Sequence, residues 1–218
     1  MGIKQLLKRA AGRVAPSLVL VRGSRACRAV SLTFDDGPRA VNTPAILEVL
    51  SQFGVPATFF VQGTAVSKAP DLVRAIAAQG HVVGNHGFRH LHWRNEQTSA
   101  LLQDVEATQS LINATVGRPQ PRIYRPPYGE ITSRGALALW RRGYRVILWS
   151  ADSHDSFADS PDAIVDHLSE STVRSGDVLL LHDDGKHTIA ALPRLIEGIS
   201  RRGLAIRPLA ELHSRPRR

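Results

Sequence analysis

The sequence predicts an α/β fold in which about seven parallel strands curl into an incomplete barrel within a single domain. Three observations carry this. From about residue 29 onward, short β-rich runs alternate with helical patterns. Polar residues able to do chemistry follow the carboxyl ends of several different strands, as they do at the mouth of a barrel, whereas an open doubly wound sheet would gather them at one switch point. The 218 residues, 43% of them hydrophobic, suit one domain with a sizeable core.

The predicted elements run in order. Residues 29–34 (AVSLTF) read as a strand, followed at once by Asp35 and Asp36. Residues 44–54 read as a helix, with Thr43 able to cap it, Pro44 at its first position and Gly54 able to end it. A strand over 58–61, a helix over 71–79 and a strand over 81–84 come next; His86 and His90 follow that strand. A long helix over 97–113 leads to a short strand at 123–125, and the turn to Tyr128 follows. A helix over 133–142, closed by Gly143, precedes the strand 144–149. A helix over 161–173 precedes the strand 177–182, whose apolar run suits burial on both faces and which ends in His182. A helix over 188–202 and a strand over 204–207 complete the alternation.

Charge sets the ends apart. The chain carries 28 Lys and Arg against 19 Asp and Glu, for a formal charge of +9. Seven of the basic residues precede the first acidic one, and the chain ends Arg-Pro-Arg-Arg. Residues 1–28 are expected to form a basic extension, 29–212 the folded domain and 213–218 a basic tail. Ile3, Leu6, Leu7, Ala10 and Val14 recur at helical spacing. They suit either a short helix lying on anionic lipid or one packed on the domain's own surface. The start has no apolar run long enough for a secretory signal, and nothing reaches the length needed to span a bilayer. A cytoplasmic protein, at most peripheral to the membrane, is expected. The single cysteine, Cys27, excludes an intramolecular disulfide. The charge alone does not argue for nucleic acid, because no recognition motif accompanies it.

The chemistry starts from Asp36, His86 and His90. Two imidazoles at i and i+4 with one carboxylate make a three-ligand set suited to Zn²⁺, and equally to Co²⁺, Ni²⁺ or Fe²⁺. Three protein ligands leave positions open for water and substrate, which marks a catalytic rather than a structural site. His81 precedes its strand and reads as structural. On an extended strand, consecutive side chains point to opposite faces, so Asp35 is expected beside the ion rather than on it. There it can act as the base, its pKa held low by a neighbouring cation, for which Arg125 is the candidate. His182 is placed to protonate a leaving amine, with Asp155 or Asp152 to orient it. Together these predict metal-assisted hydrolysis of an amide, with backbone N–H groups near Tyr128 and Gly129 available to a tetrahedral oxyanion.

Four segments in order, Thr33-Phe-Asp-Asp-Gly37, His86-Gly-Phe-Arg-His90, Arg125-Pro-Pro-Tyr-Gly129 and Leu180-Leu-His-Asp183, resemble the successive motifs of the polysaccharide deacetylases. That family shares its catalytic domain with the nodulation-type chitooligosaccharide deacetylases, in carbohydrate esterase family four. The resemblance spans roughly residues 29–210 and implies a distorted (β/α) barrel of seven strands. It implies Asp35 as base and Asp36, His86 and His90 as metal ligands. Arg125 tunes the base, the Tyr128 backbone N–H serves the oxyanion, Leu180 walls the acetyl methyl group, and Asp155 pairs with the acid His182. Two positions depart from the family pattern. Gly87 stands where Ser or Thr is usual, removing a hydroxyl that would tie the loop. Ser156 stands where Trp is usual, opening one wall of the acetyl pocket, with Phe157 or Trp149 as candidate replacements.

The expected function is removal of N-acetyl groups from an N-acetylated sugar, oligosaccharide or glycan. A metal amidohydrolase of a non-sugar amide would use the same site, and a catalytically silent glycan-binding relative would keep the fold. The intact Asp35, metal set and His182 argue against silence.

Overall fold

The structure is a computed structural model that describes residues 18–93, 97–169 and 172–213. The helical pattern expected over residues 3–14 and the basic end of the chain from 214 lie outside the described residues.

The strands are β1 (Val19–Leu20), β2 (Ala29–Asp35), β3 (Ala57–Val61), β4 (Val82–Asn85), β5 (Ile123–Tyr124), β6 (Arg145–Ile147), β7 (Ala151–Asp152), β8 (Val178–His182) and β9 (Ala205–Ile206). The helices are α1 (Asn42–Phe53), α2 (Gly63–Lys68), α3 (Pro70–Ala78), α4 (Thr98–Val116), α5 (Ser133–Arg141), α6 (Pro161–His167) and α7 (Thr188–Arg201). The sheet order is β1-β6-β5-β4-β3-β2-β8-β7, with β9 joined to the start of β2, and the paired strands are parallel.

What curls the sheet is a change of partner. β6 and β7 are two halves of one run of chain, yet β6 lies between β1 and β5 while β7 pairs with β8. Between them the Leu148 N–H donates to the Leu20 carbonyl and the Ser150 N–H to the Val178 carbonyl. The run therefore joins the two ends of the sheet and bends it into a distorted barrel. The single strand expected over 144–149 divides here because each half serves a different neighbour. β1 is wedged into the lower part of this seam: Gly23 N–H donates to the Gly176 carbonyl, and the Arg22 guanidinium meets the buried Asp177 carboxylate. Residues 18–28, grouped by their charge with the extension, thus contribute a strand to the barrel.

The strands sort their side chains by the period-two rule. On β2, Val30, Leu32 and Phe34 join the outer core with Ile46, Leu50, Leu192 and Ile196 of the covering helices. Ala29, Ser31, Thr33 and Asp35 alternate with these and face the barrel. On β8, Leu179 and Leu181 face outward, and Val178, Leu180 and His182 face in. The register sets Asp35 beside His182 at the carboxyl edge. Hydrophobic burial outside the sheet thereby fixes which polar groups reach the mouth.

Thr43 does not cap α1: its hydroxyl accepts from the Arg39 N–H at 2.7 Å and donates to Asp183 at 2.6 Å. Gly54 does end that helix, in the left-handed conformation (φ 61°) that glycine adopts without a Cβ clash.

Candidate active site

β2 ends at Asp35, and the next residue, Asp36, takes φ 71°. Asp is among the few residues that tolerate this left-handed conformation. The turn abolishes the strand's alternation, so both carboxylates come to the mouth instead of pointing apart. Asp36 Oδ1 lies 3.4 Å from His86 Nε2 and 3.2 Å from His90 Nε2. The three donor atoms lie within 4.8 Å of one another.

The imidazoles are aimed by their surroundings. His86 Nδ1–H donates to the Arg125 carbonyl at 2.7 Å, which leaves the Nε2 lone pair facing the site. Burial pulls the His90 pKa below its ordinary value, so that it offers a neutral lone pair. Burial also opposes charge on His86, yet Asp35 and Asp36 outweigh it and raise its pKa. Asp36 is held ionised, well below the usual carboxylate range, because His86, His90 and the Gln62 amide overcome its burial. Two carboxylates facing two imidazole nitrogens create a demand for positive charge that a divalent cation fits.

Asp35 is buried, and one of its oxygens accepts from Arg125 Nη1 at 2.8 Å. The other faces His86 Nε2 at 3.8 Å. Arg125 is completely buried, and the Phe60 ring lies 4.2 Å from its guanidinium carbon. Its remaining bonds go to the Thr33 hydroxyl and, at 3.4 Å, to the Ile147 and Leu148 carbonyls at the seam.

On the opposite wall, His182 Nδ1–H donates to Asp155 Oδ1 at 2.7 Å. The second Asp155 oxygen accepts from the His182 backbone N–H and the Thr188 hydroxyl, each at 2.7 Å. Burial works against protonation of His182, but Asp155 outweighs it and lifts its pKa to about 9. Of the two aspartates open as orienters, Asp155 takes the position. Asp152 instead accepts from the Trp149 indole N–H and the His154 N–H. Leu180 faces inward two residues before His182 and is 3% exposed.

Tyr128 adopts φ 57° within a 3₁₀ turn, Pro127–Gly129. The Gly129 N–H is occupied by the Pro126 carbonyl, whereas the Tyr128 N–H has no acceptor among the described residues. The Tyr128 ring stands edge-on to His90 and stacks on His92 at 3.7 Å.

The two departures resolve differently. At Gly87, φ is 80° and a Cβ would sit 2.9 Å from Asp104 Oδ2. That carboxylate accepts from the Phe88 N–H, and the Asn85 side chain accepts from the Gly87 N–H, so the loop is tied without the missing hydroxyl. Ser156 places its hydroxyl 3.1 Å from His182 Nδ1. Phe157 is 89% exposed, while Trp149 is half-buried.

Sequence reasoning missed Gln62, which donates to Asp36 at 2.6 Å, and also Thr188 and Asp104. For Gln62 a signal existed: it directly follows β3, the neighbour of β2, so it reaches the same rim as Asp36. His81 is structural as expected, its Nδ1 accepting from the Ala57 N–H.

A barrel whose mouth gathers a carboxylate–arginine pair, a two-histidine, one-aspartate set and a carboxylate-backed histidine defines a hydrolase site. The family profile of polysaccharide deacetylases matches residues 22–147. The chain is 36% identical over 200 residues to a chitooligosaccharide deacetylase of Bradyrhizobium sp. (strain ANU 289), covering 85% of this chain and 91% of the relative. It is 33% identical over 188 residues to a peptidoglycan-N-acetylglucosamine deacetylase of Bacillus cereus, covering 84% and 87%. The solved Bc1960 peptidoglycan N-acetylglucosamine deacetylase superposes with a TM-score of 0.88 at 30% identity, covering 94% of this chain and 98% of that one. The chain belongs to the polysaccharide deacetylase family, within carbohydrate esterase family four, and is an N-deacetylase.

Proposed function

We propose that the protein is a divalent-metal-dependent deacetylase that hydrolyses the N-acetyl group of an N-acetylated sugar or oligosaccharide. The observation that carries this is the convergence of Asp35, the Asp36–His86–His90 set and His182 on one barrel mouth, with Asp35 held by Arg125 and His182 by Asp155.

Asp36, His86 and His90 would hold the ion, Zn²⁺ being the best match to the donor set. When bound, it polarises the amide carbonyl and acidifies water, the Lewis-acid chemistry that amide hydrolysis needs. Asp35 takes the proton from the attacking water through the oxygen that Arg125 leaves free. The Tyr128 N–H, without an acceptor among the described residues, is available to the developing oxyanion. His182, cationic at neutral pH, gives its proton to the departing sugar amine, and Asp155 stabilises that cation. Leu180 lines the inner wall beside His182, where the acetyl methyl group would lie.

Acetate release from a panel of N-acetylated oligosaccharides tests the reading. Activity should vanish on chelation and return with added Zn²⁺ or Co²⁺. Full activity in a chelated, metal-free preparation would remove the metal from the proposal, and acetate release from simple anilides but from no sugar would favour a non-sugar amide.

A further inference from the structure

Helix α5 has an exposed face that the deacetylase chemistry does not use. Gly135, Ala136 and Leu139 are buried against the domain, while Arg134, Leu137, Trp140 and Arg141 are exposed. Leu137 and Trp140 are 37% and 47% exposed, three residues apart and so on one side of the helix. The helix contains no acidic residue, and Arg134 and Arg141 form no ion pair among the described residues. The adjoining Glu106 is already neutralised: Arg122 lies at 3.2 Å, Arg142 at 3.8 Å, and the Tyr144 hydroxyl donates to it.

A second observation points to the same edge. The chain's first 17 residues contain Lys4, Lys8, Arg9 and Arg13 and no acidic residue. They lead into β1, which runs parallel to β6, and β6 begins four residues after α5 ends. Leu18, where the described residues begin, accepts from the Val146 N–H and so lies at the end of β6 that follows α5. No helix among the described residues is long and apolar enough to cross a bilayer. An exposed tryptophan and leucine between unpaired arginines suits the surface of one: the ring and aliphatic chain enter the headgroup region and the guanidinium groups meet lipid phosphates.

We infer that α5, through Arg134, Leu137, Trp140 and Arg141, docks the protein on an anionic lipid surface.

The test is co-sedimentation of the full chain with vesicles of phosphatidylglycerol and phosphatidylcholine, against phosphatidylcholine alone. Binding should require the anionic lipid and weaken with salt. Trp140 emission should shift to the blue on binding, a signal absent from Trp140→Phe. The Arg134→Glu/Arg141→Glu and Leu137→Ala/Trp140→Ala pairs should each lower vesicle affinity by about tenfold. Circular dichroism and acetate release from a soluble oligosaccharide should stay unchanged. Vesicle binding is read independently of acetate release, so failure of one proposal does not mask the other. Undiminished binding by both double variants, equal binding to neutral vesicles, tighter binding to duplex DNA, or a dimer that the α5 variants dissociate would each overturn the inference.

Discussion

Asp35 and Asp36 are adjacent and chemically identical, but they meet different partners: Asp35 accepts from Arg125, while Asp36 faces His86 and His90. The period-two rule read from the sequence assigns them different jobs. It does not anticipate that the positive φ of Asp36 would bring both to the mouth. Asp36→Asn should lose bound metal together with rate. Asp35→Asn should keep its metal by elemental analysis while kcat falls on the order of 10²–10⁴-fold, the usual worth of a general base. A metal-free Asp35→Asn beside a metal-replete Asp36→Asn would exchange the roles. His182 supplies a second check. Its pKa, lifted from the ordinary histidine range to about 9, keeps it protonated across neutral pH. The rate should therefore fall on an alkaline limb governed by His182, and Asp155→Asn should move that limb towards the ordinary histidine range. The same shift is a linkage: because the folded pKa is raised, its contribution to stability is complete below about pH 6.5 and is lost as pH rises through about 9. Thermal unfolding across that window, compared between the wild type and Asp155→Asn, measures it. The residues with distinctive chemistry were legible because their motifs are local. Gln62, Thr188 and Asp104 were not, because each acts through a partner distant in sequence.

At the scale of elements, strands with strong apolar runs, such as β2 and β8, were legible from pattern alone. α2 was not. It has six residues, no side-chain cap and too short a span to show periodicity. Docking sustains it instead: the Gly63 and Thr64 N–H groups donate to the Gly87 and Phe88 carbonyls of the histidine loop. These are the otherwise orphaned donors of a helix start, used here to fix the loop that carries His86 and His90. Gly63 permits the approach, since a Cβ there would lie 2.3 Å from the Phe88 ring. Gly63→Ala should force that ring aside, cost about 1–3 kcal/mol in denaturant unfolding and weaken metal affinity on the order of tenfold. Unchanged metal affinity with reduced stability would separate the helix from the site.

For the whole molecule, parallel sheet and barrel-like closure were legible from β–α alternation and the distribution of reactive residues. The seam was not, because a partner switch within residues 145–152 leaves no trace in periodicity. Asp177 holds that seam from within, accepting from the Arg22 guanidinium, the Ser150 hydroxyl and the Arg174 N–H. Asp177→Ala strands buried donors and should lower unfolding free energy by about 1–3 kcal/mol. Near-UV circular dichroism of the Trp149 region should change with it. The pairing of β2 with β8 has a consequence in time. Asp35 and His182 come from near opposite ends of the chain, and loop closure makes such distant pairings slow relative to local ones. In refolding, helical signal should return before acetate release does. A nascent or truncated chain lacking β8 carries Asp36, His86 and His90 but not His182. On the proposed mechanism, hydrolysis therefore waits until synthesis has passed His182, the last of the candidate catalytic residues to be made.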